Sequence, residues 1–306
     1  MLVRPRIIQR VVWKRYIWAV SATATTILHH HHHPLAVVAA VADPSSSTAS
    51  CLPAAQPQQQ QIRNKMTVTS YPLIDKWRQS SDSWVLRFAL PSDRKYLGED
   101  PSIPTCLSVH HTVTAEAVLK KSYSPISHPA TVGTFDLLVK SYPPQPGGGV
   151  GDAICNLRIG KDALVGKLKA ERSVHGSPAI SKRWDRIGLI AGGTGIAPLV
   201  QLARIVLEDP DDATQIHLLS INRNEDDILM MEELDRLARD HPGRFVVNYS
   251  LTGAEVRSDW EGYVGRGSVD MAKEALPPPS AADGKSTMIF VCGTDGFRDM
   301  WGGPIA

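Results

Sequence analysis

The chain has 306 residues, 42% of them hydrophobic, enough for two ordinary domains with separate cores. Its net charge of +2 is unevenly placed: residues 1–42 carry five bases and no acid, leaving 28 bases against 31 acids in the rest. That slightly acidic body offers no basic field for nucleic acid, and the four cysteines (Cys51, Cys106, Cys155, Cys292) contain no C-x-x-C pair that would suggest a zinc site or disulfide framework.

Residues 1–42 hold Arg4, Arg6, Arg10, Lys14 and Arg15 among Ser, Thr and Ala. A positive, acid-free segment of this kind suits a mitochondrial targeting sequence, drawn inward by a membrane potential. Its apolar run, Tyr16 to Leu28, has 13 residues, and a bilayer takes about 20. A short membrane anchor is the competing reading. His29–His33 reads as natural low complexity rather than a metal site, since an engineered tag would sit at a terminus. Residues 43–65, with Gln59-Gln60-Gln61 among Pro, Ser and Ala, form a linker that buries no core.

From Met66 short strands take over. Trp84 to Leu90 ends at the turn signal Pro91-Ser92-Asp93, Thr134 to Tyr142 ends at Pro143-Pro144, and Ala163 to Lys169 is a third candidate. Strands with few helical stretches predict a small antiparallel barrel over 66–180. After Gly176-Ser177-Pro178 the pattern changes to alternating strands and helices. Strands are expected at Arg186–Ile190, Gln215–Ile221, Arg244–Leu251 and Thr287–Val291. Helices are expected at Ile196–Glu208, Asp226–Arg239 and Val269–Leu276. Such alternation predicts a parallel sheet covered by helices over 181–306, with ligands at the carboxyl ends of its strands.

Two glycine turns fall at those strand ends. In Ile187 to Pro198, an apolar strand enters Gly192-Gly193-Thr194-Gly195, and Pro198 suits the first turn of the following helix. Bare backbone at a helix N-terminus is a natural seat for a pyrophosphate. The spacing is G-x-G-x-x-P rather than the dinucleotide fingerprint G-x-G-x-x-G, and no acid closes the next strand at Ser220-Ile221-Asn222. The second turn is Val291-Cys292-Gly293-Thr294-Asp295-Gly296-Phe297. A lone Cys closing a buried strand is ordinarily a small apolar residue.

The order K-S-Y-S-P-I-S at Lys121–Ser127, then G-G-T-G-I-A-P, then V-C-G-T-D-G-F resembles the ferredoxin–NADP reductase superfamily, and within it the NADH–cytochrome b5 reductases. The resemblance spans residues 66 to 300 and implies that the barrel holds FAD and the α/β domain NADH. It implies that Tyr123 packs on the flavin, although a half-buried strand aromatic would look the same. Ser124 offers its hydroxyl to N5, the atom that accepts hydride. Val139 and Lys140 fall on the strand beneath the isoalloxazine, against the competing reading of a solvated lysine. Gly192, Gly193, Thr194, Gly195 and Pro198 would hold the pyridine nucleotide. Cys292 and Gly293 would lie near the nicotinamide, the cysteine tuning geometry without thiol chemistry.

Four departures from the family pattern carry expectations of their own. The motif arginine is Lys121, which keeps the charge but loses the two-pronged grip on a diphosphate. The family's G-G-K-M-S, which holds the FAD pyrophosphate, is Gly147-Gly148-Gly149-Val150-Gly151, keeping backbone donors without the Lys and Ser, so weaker FAD binding is expected. The acid by which NADH-selective relatives repel a 2′-phosphate is Thr252, with Arg223 at the end of a neighbouring strand, so NADPH should be poorly excluded. The family continues to a final strand where this sequence stops at Ala306. An incomplete product with an unpaired sheet edge is therefore expected.

The reading that results is an FAD-dependent oxidoreductase that takes hydride from NADH and passes electrons singly to a haem protein such as cytochrome b5. Its setting would be the mitochondrial outer membrane or intermembrane space, or alternatively the endoplasmic reticulum membrane. A quinone or ferric reductase is the rival on the same scaffold, and a non-catalytic dinucleotide-binding scaffold the rival of another class.

Overall fold

The computed structural model describes residues 17–21 (backbone only), 68–114, 117–142, 149–169, 180–253, 255–280 and 283–303. The linker, the histidine run, Gly147 and Gly148 lie outside them.

The first domain is an antiparallel sheet of six strands in the order β5-β4-β7-β2-β3-β6. Its strands are β2 (Thr69–Arg78), β3 (Ser83–Ala89), β4 (Leu107–Thr112), β5 (Val118–Tyr123), β6 (Thr134–Lys140) and β7 (Ala163–Leu168). Alternation puts Tyr71, Leu73, Leu86, Phe88, Leu107, Val109, Phe135, Leu137 and Leu164 into one apolar cluster, with Leu119 and Tyr123 of β5 against it. A single cluster fed by all six strands means the sheet curls around its own core, as the barrel expectation requires. A helix not foreseen in the sequence, α1 (Val150–Cys155), plugs one end with Val150, Ile154 and Cys155.

The second domain is a parallel sheet in the order β1-β12-β8-β9-β10-β11. It comprises β1 (Ile17–Ser21), β8 (Arg186–Gly192), β9 (Gln215–Asn222), β10 (Phe245–Leu251), β11 (Tyr263–Val264) and β12 (Thr287–Gly293). Every residue of β12 and all but the last of β8 are buried, as strands covered on both faces must be. The helices are α2 (Ile196–Glu208), α3 (Met231–Asp240), α4 (Val269–Ala275) and α5 (Asp295–Gly302).

Two expectations are corrected here. The helix expected from Asp226 begins at Met231, because Glu225–Asp227 forms a 3-10 turn and Met230 adopts a left-handed conformation, φ 62°. The Met230 N–H is diverted to the Gln79 Oε1 of the barrel at 3.2 Å. The edge of β12, expected to be unpaired, is lined in parallel by Ile17–Ser21, from Ile17 beside Ile289 to Ser21 beside Gly293. An open edge presents backbone donors and acceptors to any extended segment within reach. Met300 and Trp301 belong to the eight-residue α5.

The domains share a core. Val85, Ile126 and Leu138 from the barrel pack in one cluster with Ile196, Leu199, Val200, Leu229, Met230 and Cys292.

Candidate FAD and nucleotide site

Strand β8, the turn Gly193–Gly195 and α2 bring the first glycine motif together as expected. Its glycines do different work. Gly193 has φ 52° and open space where a side chain would stand, so it shapes the turn and leaves its backbone accessible. A Cβ on Gly195 would overlap the Cys292 carbonyl oxygen and lie 2.8 Å from Gly293 N. Gly195 thus permits the two glycine turns to touch, and ligand approach is not what excludes a side chain there. Gly192 and Gly293 face the Phe297 ring, which a Cβ on either would crowd at 3.0 and 2.6 Å. The N-cap of α2, Gly195, provides no side-chain hydrogen bond, and the Ile196 N–H turns back to the Gly193 carbonyl, so the turn leads directly into the positive dipole end of this 13-residue helix. Thr194 lies within the turn and Pro198 in the first helical turn.

Cys292 is fully buried, and burial pushes its thiol up to about 12. It is a neutral thiol at physiological pH, in accord with a packing role. The barrel meets this region directly: Cys106, just before β4, lies within electrostatic range of Cys292, and β6 approaches the Gly193–Gly195 turn.

On the barrel side, Tyr123 closes β5, paired in register with Leu107 of β4. Its hydroxyl is buried without a hydrogen-bond partner among the described residues, and burial raises its pKa. Lys121 stands over the rings of Tyr123 and Tyr142 at 5.7 and 5.5 Å, and no ion pair to it occurs among the described residues. Burial lowers its pKa. An orphan hydroxyl beside an unpaired, partly desolvated cation lacks an anion and an acceptor, and FAD supplies both through its diphosphate and ring system. The residues present therefore fit FAD. Ser124 follows directly, half-buried, at the strand end.

Other expected residues are placed differently. The Val139 side chain is buried in the barrel core, leaving only its backbone to a cofactor. Lys140 pairs with Asp82 at 2.8 Å. Burial pushes the Asp82 carboxyl up, but hydrogen bonds from Lys140, Ser83 and Ser80 outweigh it and the pKa is lowered. Gly149 is the N-cap of α1 and Gly151 lies inside that helix, where a Cβ would stand 2.6 Å from the Lys140 carbonyl oxygen. The motif serine is thus replaced where α1 meets β6 too closely for any side chain. Val150 packs inward, and Gly148 lies outside the described residues.

A cleft of about 820 Å³ opens between the outer face of β3 and β6 and helices α2 and α3, lined in part by Trp77, Arg87, Asp136, Arg204 and Arg236. None of the expected cofactor residues lines it. Its charges are largely spent on one another, Arg87 on Asp136 and Arg204 on Glu233.

These two half-sites define a class: residues 70–166 match the oxidoreductase FAD-binding domain and residues 189–301 the oxidoreductase NAD-binding domain. NADH-cytochrome b5 reductase 2 of Homo sapiens is 34% identical over 239 residues, covering 72% of this chain and 83% of the relative. NADH-cytochrome b5 reductase 1 of Candida albicans is 35% identical over 223 residues, covering 73% and 70%. The cytochrome b5 reductase domain of Ulva prolifera nitrate reductase superposes with a TM-score of 0.65 at 28% identity, covering 78% of this chain and 90% of that domain. The chain belongs to the NADH–cytochrome b5 reductase family, and it is an FAD- and NAD-binding oxidoreductase.

Proposed function

We propose that this enzyme delivers electrons from NADH, through FAD, singly to a haem protein of the cytochrome b5 kind. The bound flavin supplies the conversion of a two-electron hydride into single electrons, while the chain supplies binding and orientation. The observation that carries the reading is the contact of the two glycine turns, Gly195 on Cys292, at the place where the barrel's Cys106 and β6 also arrive. Lys121 and Tyr123 would hold the flavin, Ser124 would offer it a hydroxyl, and Gly193 with the α2 N-terminus would seat the nucleotide diphosphate. Kinetics with cytochrome b5, a quinone and ferricyanide test the acceptor. Faster turnover with the quinone than with cytochrome b5 would favour the rival reductase.

The nucleotide choice rests on Thr252 and Arg223. Thr252 N–H donates to the Asn222 carbonyl at 2.9 Å and Gly253 N–H to the Arg223 carbonyl at 2.7 Å, which sets Thr252 beside Arg223 at the ends of β10 and β9. A threonine does not repel a 2′-phosphate and an arginine attracts one, so NADPH competes with NADH here.

The acid-free, basic first 42 residues support a mitochondrial destination with association at a membrane surface. No helix among the described residues is long and apolar enough to cross a membrane. A reporter fused to residues 1–42 that stains the endoplasmic reticulum instead would overturn the mitochondrial assignment.

A further inference from the structure

Gln201 lies on α2, six residues beyond Gly195, and its side chain is 1% exposed. Among the described residues, all three of its side-chain hydrogen bonds cross to the barrel. Its Oε1 accepts the Thr105 backbone N–H at 2.8 Å, and its Nε2 donates to Thr105 Oγ1 at 3.1 Å and to the Ser127 carbonyl at 3.4 Å. Those partners are themselves buried. They flank the flavin motif on both sides: Thr105 precedes Leu107, the register partner of Tyr123, and Ser127 ends the segment Tyr123–Ser127. That segment is otherwise pinned to β6, by Ile126 N–H to the Asp136 carbonyl at 2.9 Å and by Asp136 N–H to Ser127 Oγ at 3.1 Å. Other polar ties between the domains include Met230 N–H to Gln79 Oε1 at 3.2 Å and His128 with the half-exposed Glu208 at 3.8 Å.

We infer that Gln201 is a positioning residue for hydride transfer: through Thr105 and Ser127 it fixes the helix that carries the nucleotide turn against the two segments that carry the flavin motif. The inference rests on hydride passing from NADH to flavin between the domains. A neutral amide suits the task because it offers both an acceptor and donors in a dry interface. An apolar side chain offers neither and leaves the Thr105 N–H and Ser127 carbonyl unpaired. Glutamate would accept from Thr105 but set an oxygen against the Ser127 carbonyl. Hydride transfer is steep in distance and alignment, and a misplacement of about 1 Å costs on the order of a hundredfold in rate.

The test compares the FAD-loaded wild type with Gln201→Leu, Gln201→Glu and the milder Thr105→Val, which removes Oγ1 and spares the backbone N–H. Anaerobic flavin reduction by NADH is followed by stopped flow, with the long-wavelength charge-transfer absorbance of reduced flavin and NAD⁺. Amide exchange at Thr105 is measured without nucleotide. Gln201→Leu is expected to keep its flavin and its affinity for NAD⁺ within about twofold. It should reduce flavin tenfold to a hundredfold more slowly, weaken the charge-transfer band and expose the Thr105 amide. Thr105→Val should show a smaller loss of the same kind. Reduction within twofold of wild type with the band intact in Gln201→Leu would overturn the inference, as would slowing that only follows lost flavin. If the leucine variant does not fold, an unchanged rate and band in Thr105→Val would overturn it. Failure of the wild type to be reduced by NADH would instead strike the functional reading beneath it.

Discussion

Replacing each of two neighbouring glycines by alanine separates packing from ligand approach. A methyl on Gly195 would overlap the Cys292 carbonyl oxygen and lie 2.5 Å from its carbon and 2.8 Å from Gly293 N. All three obstacles are backbone, held by β12 and its pairing with β8, so no rotamer change relieves them. Overpacking of this kind costs typically 1–3 kcal/mol, and the upper end, about 3 kcal/mol, applies where backbone must move. At about 2–4 °C per kcal/mol for a protein of this size, the melting temperature should fall by roughly 6–12 °C. Alanine at Gly193 meets nothing within 4 Å and bears only the left-handed φ of 52°, about 1 kcal/mol or roughly 2–4 °C. Its methyl enters the space where the nucleotide diphosphate is proposed to lie, so KM for NADH should rise while bound flavin stays. Differential scanning fluorimetry and steady-state kinetics on both variants read the contrast. Equal melting shifts, or an unchanged KM in Gly193→Ala, would refute the division of labour between them.

Other outcomes follow from the same geometry. Lys121→Arg restores a fork for a diphosphate and should tighten FAD by about tenfold or more, since hydrogen bonds to charged groups are worth about 1.5–3 kcal/mol; equilibrium flavin titration of the apoprotein checks it. Thr252→Asp should raise the preference for NADH over NADPH at least tenfold, and a wild-type preference already near a thousandfold, about 4 kcal/mol, would contradict the role given to Thr252 and Arg223. Cys155 and Cys292 are both pushed by burial from an ordinary 9.0 to about 12. Between those values only the unfolded chain releases the two protons. Stability should therefore fall as pH rises above 9, by about 1.4 kcal/mol per pH unit for each thiol. Urea unfolding across that range should be flatter for the Cys155→Ala, Cys292→Ala double variant.

Long periodic segments were readable before the structure. The helix Ile196–Glu208 falls where its apolar spacing put it, and the glycine turns sit at the carboxyl ends of β8 and β12. What escaped the sequence was set by partners far along the chain. Met230 shortens α3 because its N–H turns to Gln79, 151 residues away, and no local signal announces that. Strand β2 hid behind Pro72, Asp75 and Lys76 and a register shift between Leu73 and Asp75, which break its alternation. Gly151 and Gly195 looked alike as ligand-facing glycines, whereas each is required by a carbonyl across from it. Gln201 gave no sign in an apolar helix, since one buried amide becomes legible only beside Thr105 and Ser127. Helix α1 was not foreseen because glycines precede and enter it, and its stability comes from Val150, Ile154 and Cys155 packing into the barrel core.

The most direct measurement is anaerobic titration of the purified, FAD-loaded protein with NADH, followed by ferric cytochrome b5. The account predicts that one NADH bleaches the flavin and that two molecules of cytochrome b5 then restore its colour as they become reduced. A bleached flavin that quinone reoxidises while cytochrome b5 remains ferric would contradict the proposed acceptor, and a flavin that NADH leaves unbleached would contradict the account at its root.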